Sequence, residues 1–105
     1  MNLIDYAAHA ASACFLVNAI PHLFQGLSGH YFQSPFAKPP GVGESSPVIN
    51  VWWGAFNLAV GLALINVGQF QLGMNLSTLL FAVFGLAFAS AIASHFGKVR
   101  NLETG

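Results

Sequence analysis

Residues 45–97 read SSPVINVWWGAFNLAVGLALINVGQFQLGMNLSTLLFAVFGLAFASAIASHFG, and no Asp, Glu, Lys or Arg interrupts them. A helix rises about 1.5 Å per residue, so roughly 20 apolar residues cross a hydrocarbon core about 30 Å thick. This stretch holds two such runs, residues 47–67 and 76–96, parted by Gly68, Gln69, Gln71 and Gly73. Each run is long, continuous and not alternating, which reads as helix rather than strand. Ser46-Pro47 is a start signal: a serine oxygen caps free N–H groups, and proline loses nothing in the first turn. Asn75 can cap the second run. Gly97 offers a stop, and Lys98 and Arg100 beyond it suit a helix C-terminus and lipid headgroups. Trp52 and Trp53 belong at a membrane–water boundary, where the ring is buried and the indole N–H stays wet. The short connection predicts that these two helices form a tight antiparallel hairpin.

The whole chain fits that reading. It has 105 residues, 55% of them hydrophobic and 6% charged. A soluble domain carries roughly 25% charged residues, so this surface could not face water all round. The composition excludes an ordinary soluble enzyme and a disordered tail. The zero net charge gives no field to attract nucleic acid. What remains is an all-α integral membrane protein, one domain over residues 1–105.

A third apolar segment lies at the start, residues 3–24, Ala-rich and interrupted by His9, Ser12, Asn18 and His22. Pro21 falls near its end, where Gly26 or Gly29 can close the helix. Between this span and the next, residues 26–46 hold Pro35, Pro39, Pro40, Gly29, Gly41 and Gly43, a turn-rich connection. At this length it is either a functional loop or a tether. Tyr31, Phe32 and Phe36 favour a loop lying on the headgroup region. With three spans, Lys38, Lys98 and Arg100 fall on one side. The positive-inside rule then puts the N-terminus out and the C-terminus in, in a plasma (inner) membrane. Cys14 has no partner for an internal disulfide. Ala11-Ser12-Ala13-Cys14 lacks the basic and apolar leader of a lipoprotein signal, and Asn75-Leu76-Ser77 matches a glycosylation sequon that abuts a span.

Two rows of small residues stand out. Asn50, Gly54, Asn57, Gly61, Leu64 and Gly68 alternate steps of four and three and so share one helix face. Gly85, Ala89, Ala93 and Gly97 recur at every fourth position. In lipid, small residues let backbones approach and amides find partners across an interface. Both rows are read as helix-packing faces.

Polar groups inside a span are the candidates for chemistry. Asp5 and His9, four apart, can meet as a proton-sensitive pair or a plain ion pair. Asn18, His22 and Gln25 form a polar face on the inner half of the first span, so His9, Asn18 and His22 are the intramembrane polar set. His95 reaches the same depth as His22, and His30 and Glu44 lie on that side. His22, His30 and His95 are candidate metal ligands, and His22 with His95 could clamp a haem iron. No ligand-spacing motif supports either, and no cofactor is predicted. No nucleophile elbow, Walker loop, dinucleotide fingerprint or paired carboxylate occurs. In length the chain invites comparison with the small multidrug transporters. Those have four spans and an essential buried glutamate in the first, and this chain has neither.

Three functional readings follow. The first is a small polytopic protein, its partners the lipid bilayer and other helices, acting by association as a homo-oligomer or as a subunit of a membrane complex. The second is an oligomeric transporter or channel for protons, cations or small solutes, lined by Asn18, His22, Asn50 and Asn57. The third is a haem- or metal-binding redox subunit.

Overall fold

The computed structural model describes residues 1–104, with side chains placed as far as Asn101. Three helices carry the fold: α1 (Leu3–Leu27), α2 (Pro47–Val67) and α3 (Leu76–Thr104). A two-stranded antiparallel ribbon, β1 (Phe32–Gln33) and β2 (Glu44–Ser45), lies between α1 and α2, with Phe32 opposite Ser45. All three helices are long and apolar enough to cross a membrane.

Local signals set the helix ends. Asn2 and Asp5 form a reciprocal capping box at the start of α1, with Asn2 Oδ1 accepting from the Asp5 N–H at 2.9 Å. The Asp5 carboxylate accepts from the Asn2 N–H in return, so Asp5 does not pair with His9. Helix α1 runs through Pro21 to Leu27, three residues beyond the expected end at residue 24. It closes where Gly29 takes φ +77°, His30 N–H bonds to Gln25 C=O, and Gly29 N–H bonds to Gly26 C=O. Ser46 caps α2, its side chain accepting from Ile49 N–H, and Pro47 occupies the first turn. Asn75 Oδ1 accepts from Thr78 N–H at the start of α3. That helix does not stop at residue 96 or at Gly97; it continues to Thr104.

The expected tight hairpin of α2 and α3 is not the packing observed. Helix α1 packs extensively on α2 and also on α3, while α2 and α3 scarcely meet. A short connection fixes only where two helix ends are. The faces decide what packs, and the polar, small-residue face of α2 matches α1.

The interior is small and polar, and the bulk lies outside. His9, Ser12, His22, Asn50 and Asn57 are buried, while Leu3, Ile4, Ile20, Phe24, Trp52, Leu79 and Leu86 are exposed. A water-soluble domain has the reverse arrangement. The connection between α1 and α2 is folded rather than a tether. Ser34 N–H bonds to Gly43 C=O, Gly41 N–H to Ser34 C=O, and the buried Ser34 and Ser45 hydroxyls meet at 2.5 Å. Phe32 is buried from this ribbon and its ring lies 4.7 Å from that of Phe96, tying the loop to α3.

Candidate functional site: the polar seam of α1 and α2

The seam is built on a seven-residue register. His9, Leu16 and Leu23 on α1 answer Gly68, Gly61 and Gly54 on α2, each step of seven matched by seven in the antiparallel direction. A Cβ at Gly54 would lie 2.7 Å from Leu23 Cγ, and one at Gly61 would lie 2.6 Å from Leu16 Cγ. At Gly68 it would meet His9 Cδ2 at 2.8 Å. Gly26 supplies the converse at the last turn, where a Cβ would stand 2.7 Å from the Pro47 carbonyl oxygen. These close approaches explain the glycines; only small residues permit them.

Gly68 shows the point most clearly. Its φ is an ordinary −79°, and the left-handed position that ends α2 falls on Gln69 at φ +55°. The Gln69 N–H bonds to Asn66 C=O and the Phe70 N–H to Ile65 C=O, the closing pattern that normally recruits glycine. Glycine stands one residue earlier because the His9 ring occupies the space a side chain would need.

Every polar residue of α1 that faces α2 finds a partner there. His9 Nε2–H donates to Gly68 C=O at 2.6 Å, and Ser12 Oγ–H donates to Gly61 C=O at 2.7 Å. Asn18 Nδ2–H donates to Asn57 Oδ1 at 3.1 Å, and His22 Nδ1–H donates to Asn50 Oδ1 at 2.8 Å. The orientations follow from the acceptors. Asn57 Nδ2 donates to Trp53 C=O at 2.8 Å, so Asn57 must present its oxygen to Asn18. Asn50 Nδ2 faces the carbonyls of Phe32, Ser45 and Ser46 at 3.1–3.2 Å, so its oxygen must face His22. The His22 proton is therefore on Nδ1 and the His9 proton on Nε2 in the neutral rings.

Asn50 is the junction of the fold. It is fully buried and joins α1, the ribbon and the start of α2 through one amide. The His22 ring beside it is bounded edge-on by Phe32 at 5.4 Å, Trp53 at 6.3 Å and Phe96 at 6.4 Å. His9 is bounded likewise by Tyr6 at 5.9 Å and Phe70 at 5.3 Å, and its Nδ1 is buried without a partner among the described residues.

The histidines on the loop side are engaged separately. His30 Nδ1–H donates to Gln25 Oε1 at 2.8 Å, and His95 Nε2–H donates to Gly41 C=O at 2.7 Å, clasping the loop to α3. Among the described residues, no three His, Cys, Asp or Glu side chains group as metal ligands, so His22, His30 and His95 do not form a three-ligand site. The seam sets His9, Ser12, Asn18 and His22 of α1 against Gly68, Gly61, Asn57 and Asn50 of α2, one hydrogen bond for each pair.

The second row of small residues divides. Gly85 is buried against Ala13 and Val17 of α1, and Ala89 is half-buried beside it. Ala93 is exposed, as is Gly97, which has no atom within 4 Å of a would-be Cβ. The reason is geometric. A step of four overshoots one turn of 3.6 residues, so an every-fourth row winds off the contact face. The sequence reading also passed over Ser12 as a seam donor and Gly26 as a contact; both lie on the face marked by His9, Leu16 and Leu23. No family model, curated protein or solved structure matches the chain.

Proposed function

We propose that this is a small three-span membrane protein that works by lateral association, as a homo-oligomer or as a subunit of a membrane complex. The observation that carries this reading is the outward face of α3. Ala87, Ser90, Ser94 and Gly97 recur in steps of three and four, and all are exposed. The same mixture of small and polar residues in the same rhythm forms the buried face of α2. Serines and a glycine are poor lipid-facing choices and good helix-facing ones. Ser90 already satisfies its hydroxyl on the Leu86 carbonyl at 2.8 Å, which keeps the row smooth for a neighbouring helix. Asn18, His22, Asn50 and Asn57, the residues a conduction path would use, are hydrogen-bonded to one another across the seam. That weighs toward association over transport.

The placement proposed is a plasma (inner) membrane, N-terminus out and C-terminus in, with Lys38, Lys98 and Arg100 on the inner side. The test of the function is native mass spectrometry from mild detergent or nanodiscs, comparing the natural chain with Ser94→Ile and Gly97→Ile. Higher species in the natural chain and a monomer in both variants are expected. A natural chain that is monomeric at every concentration, alone and in native-membrane extracts, overturns the reading.

A further inference from the structure

A groove of about 320 Å³ opens at mid-height on the bundle, lined by Cys14, Phe15, Asn18, Trp53, Asn57 and Phe88. It exists because α2 and α3 both pack on α1 without closing on each other. Asn57 is the middle residue of α2, and Asn18 lies nine residues, or about 13 Å, from the Leu27 end of α1. In a bilayer, on which this inference rests, the groove sits deep in hydrocarbon.

Its lining carries unspent hydrogen-bonding capacity. Asn18 gives one N–H to Asn57 Oδ1. Its second N–H and its carbonyl oxygen have no partner among the described residues, and the side chain is only half-buried. The Trp53 indole N–H on the same wall is buried without a partner. An amide left unpaired in hydrocarbon is costly, and nothing in the lipid interior can pair it. Ser12, His22 and Asn50 are buried and paired within the seam, so the half-buried Asn18 stands apart as an amide open to the bilayer.

The geometry points to a binding site in this groove for a bilayer-soluble ring compound bearing a hydrogen-bonding oxygen. The volume suits a single substituted ring, at the lower end of small-molecule sites. Phe15, Trp53 and Phe88 supply apolar aromatic walls, and the Asn18 amide both donates to a carbonyl and accepts from a hydroxyl. The site is independent of the outward face of α3, so its failure leaves the association reading intact.

The test uses Trp52→Phe protein in nanodiscs, where emission comes from Trp53 alone. Three probes share one ring: duroquinone with two carbonyls, tetramethylhydroquinone with two hydroxyls, and durene with no oxygen. Saturable quenching by duroquinone is expected, at least fivefold weaker in Asn18→Leu, with Cys14 alkylation slowed at least threefold at saturation. Competition by the hydroquinone is expected, since the amide also accepts from a hydroxyl, and durene should not compete. Cys14→Phe, which fills the groove while leaving the Asn18 side chain in the protein, should abolish saturation if Asn18→Leu fails to fold. Quenching that rises linearly with probe, equal competition by durene, or saturation unchanged in both variants overturns the proposal. So does copper-catalysed Cys14–Cys14 cross-linking that no probe perturbs, since a second copy would then fill the groove.

Discussion

Replacing Gly61 by alanine adds one methyl group at the tightest point of the α1–α2 register. The new Cβ would stand 2.6 Å from Leu16 Cγ and Cδ2 and 3.3 Å from the Leu16 backbone nitrogen. Carbon atoms rest at about 3.5–4.0 Å, so the helices must part locally by about 1 Å. That parting stretches the Ser12–Gly61 hydrogen bond, now 2.7 Å, past useful length. Overpacking costs about 1–3 kcal/mol and a lost interhelical hydrogen bond about 1 kcal/mol, giving about 2–4 kcal/mol in all. Gly97→Ala, in micelles dilute enough to hold one copy of the chain each, is the matched control, because nothing within the chain lies within 4 Å of its Cβ position. Helix propensity alone makes that change neutral or favourable by up to about 1 kcal/mol. The assay is reversible unfolding in mixed micelles followed by tryptophan emission. Leu16→Ala in the Gly61→Ala background should recover part of the loss by removing the clashing atoms. A Gly61→Ala protein within about 0.5 kcal/mol of the natural chain would refute the register, as would an equal loss at Gly97.

Other substitutions probe the same design. Gln69→Gly should stabilise by about 1 kcal/mol by relieving the left-handed residue, while Gly68→Ala, one position earlier, should destabilise by displacing His9; opposite signs in the same unfolding assay are the expected result. Asn50→Leu strips the acceptor from His22 and the donor from three carbonyls, and should cost at least about 2 kcal/mol, with faster amide exchange throughout residues 32–45. His95→Ala should leave global stability within about 1 kcal/mol, since the bond is exposed, yet raise proteolysis near Gly41; unchanged cleavage would mean the clasp does not hold the loop.

The helix positions were largely written locally. Ser46-Pro47 and Asn75 are chemical start signals that act within one turn, and α2 and α3 begin where those residues place them. The row from Asn50 to Gly68 is likewise visible, because small and amide residues at alternating steps of four and three declare a packing face. Which helix covers that face was not visible from one row alone. Its answer lies in the spacing of His9, Leu16 and Leu23, which looks like an unremarkable apolar helix until set against the glycines. The expected end of α1 at residue 24 falls three residues short, and of the two glycines that could close the helix it is Gly29, at φ +77°, that does so. Pro21 lies inside the helix, its ring at a half-open groove beside Val17 and Phe24, and Gly26 is required by the backbone of Pro47. The histidines drew attention as ligands because a sequence shows a donor atom and never its hydrogen-bond partner. Asn50, the most connected amide, is visible in the sequence as one of a row and as a residue that could line a pathway, and neither role shows the three carbonyls its amide holds.

The pairing of α1 with α2 also bears on how such a chain is made. His9, Ser12, Asn18 and His22 leave the ribosome before any residue able to satisfy them, since Asn50, Asn57, Gly61 and Gly68 all come later. In the membrane placement proposed above, helix α1 is a poor lodger in oil by itself, and its lasting release into lipid would wait for α2 to be synthesised. On that reading biogenesis would proceed through a two-helix unit, to which the more apolar α3 is added last.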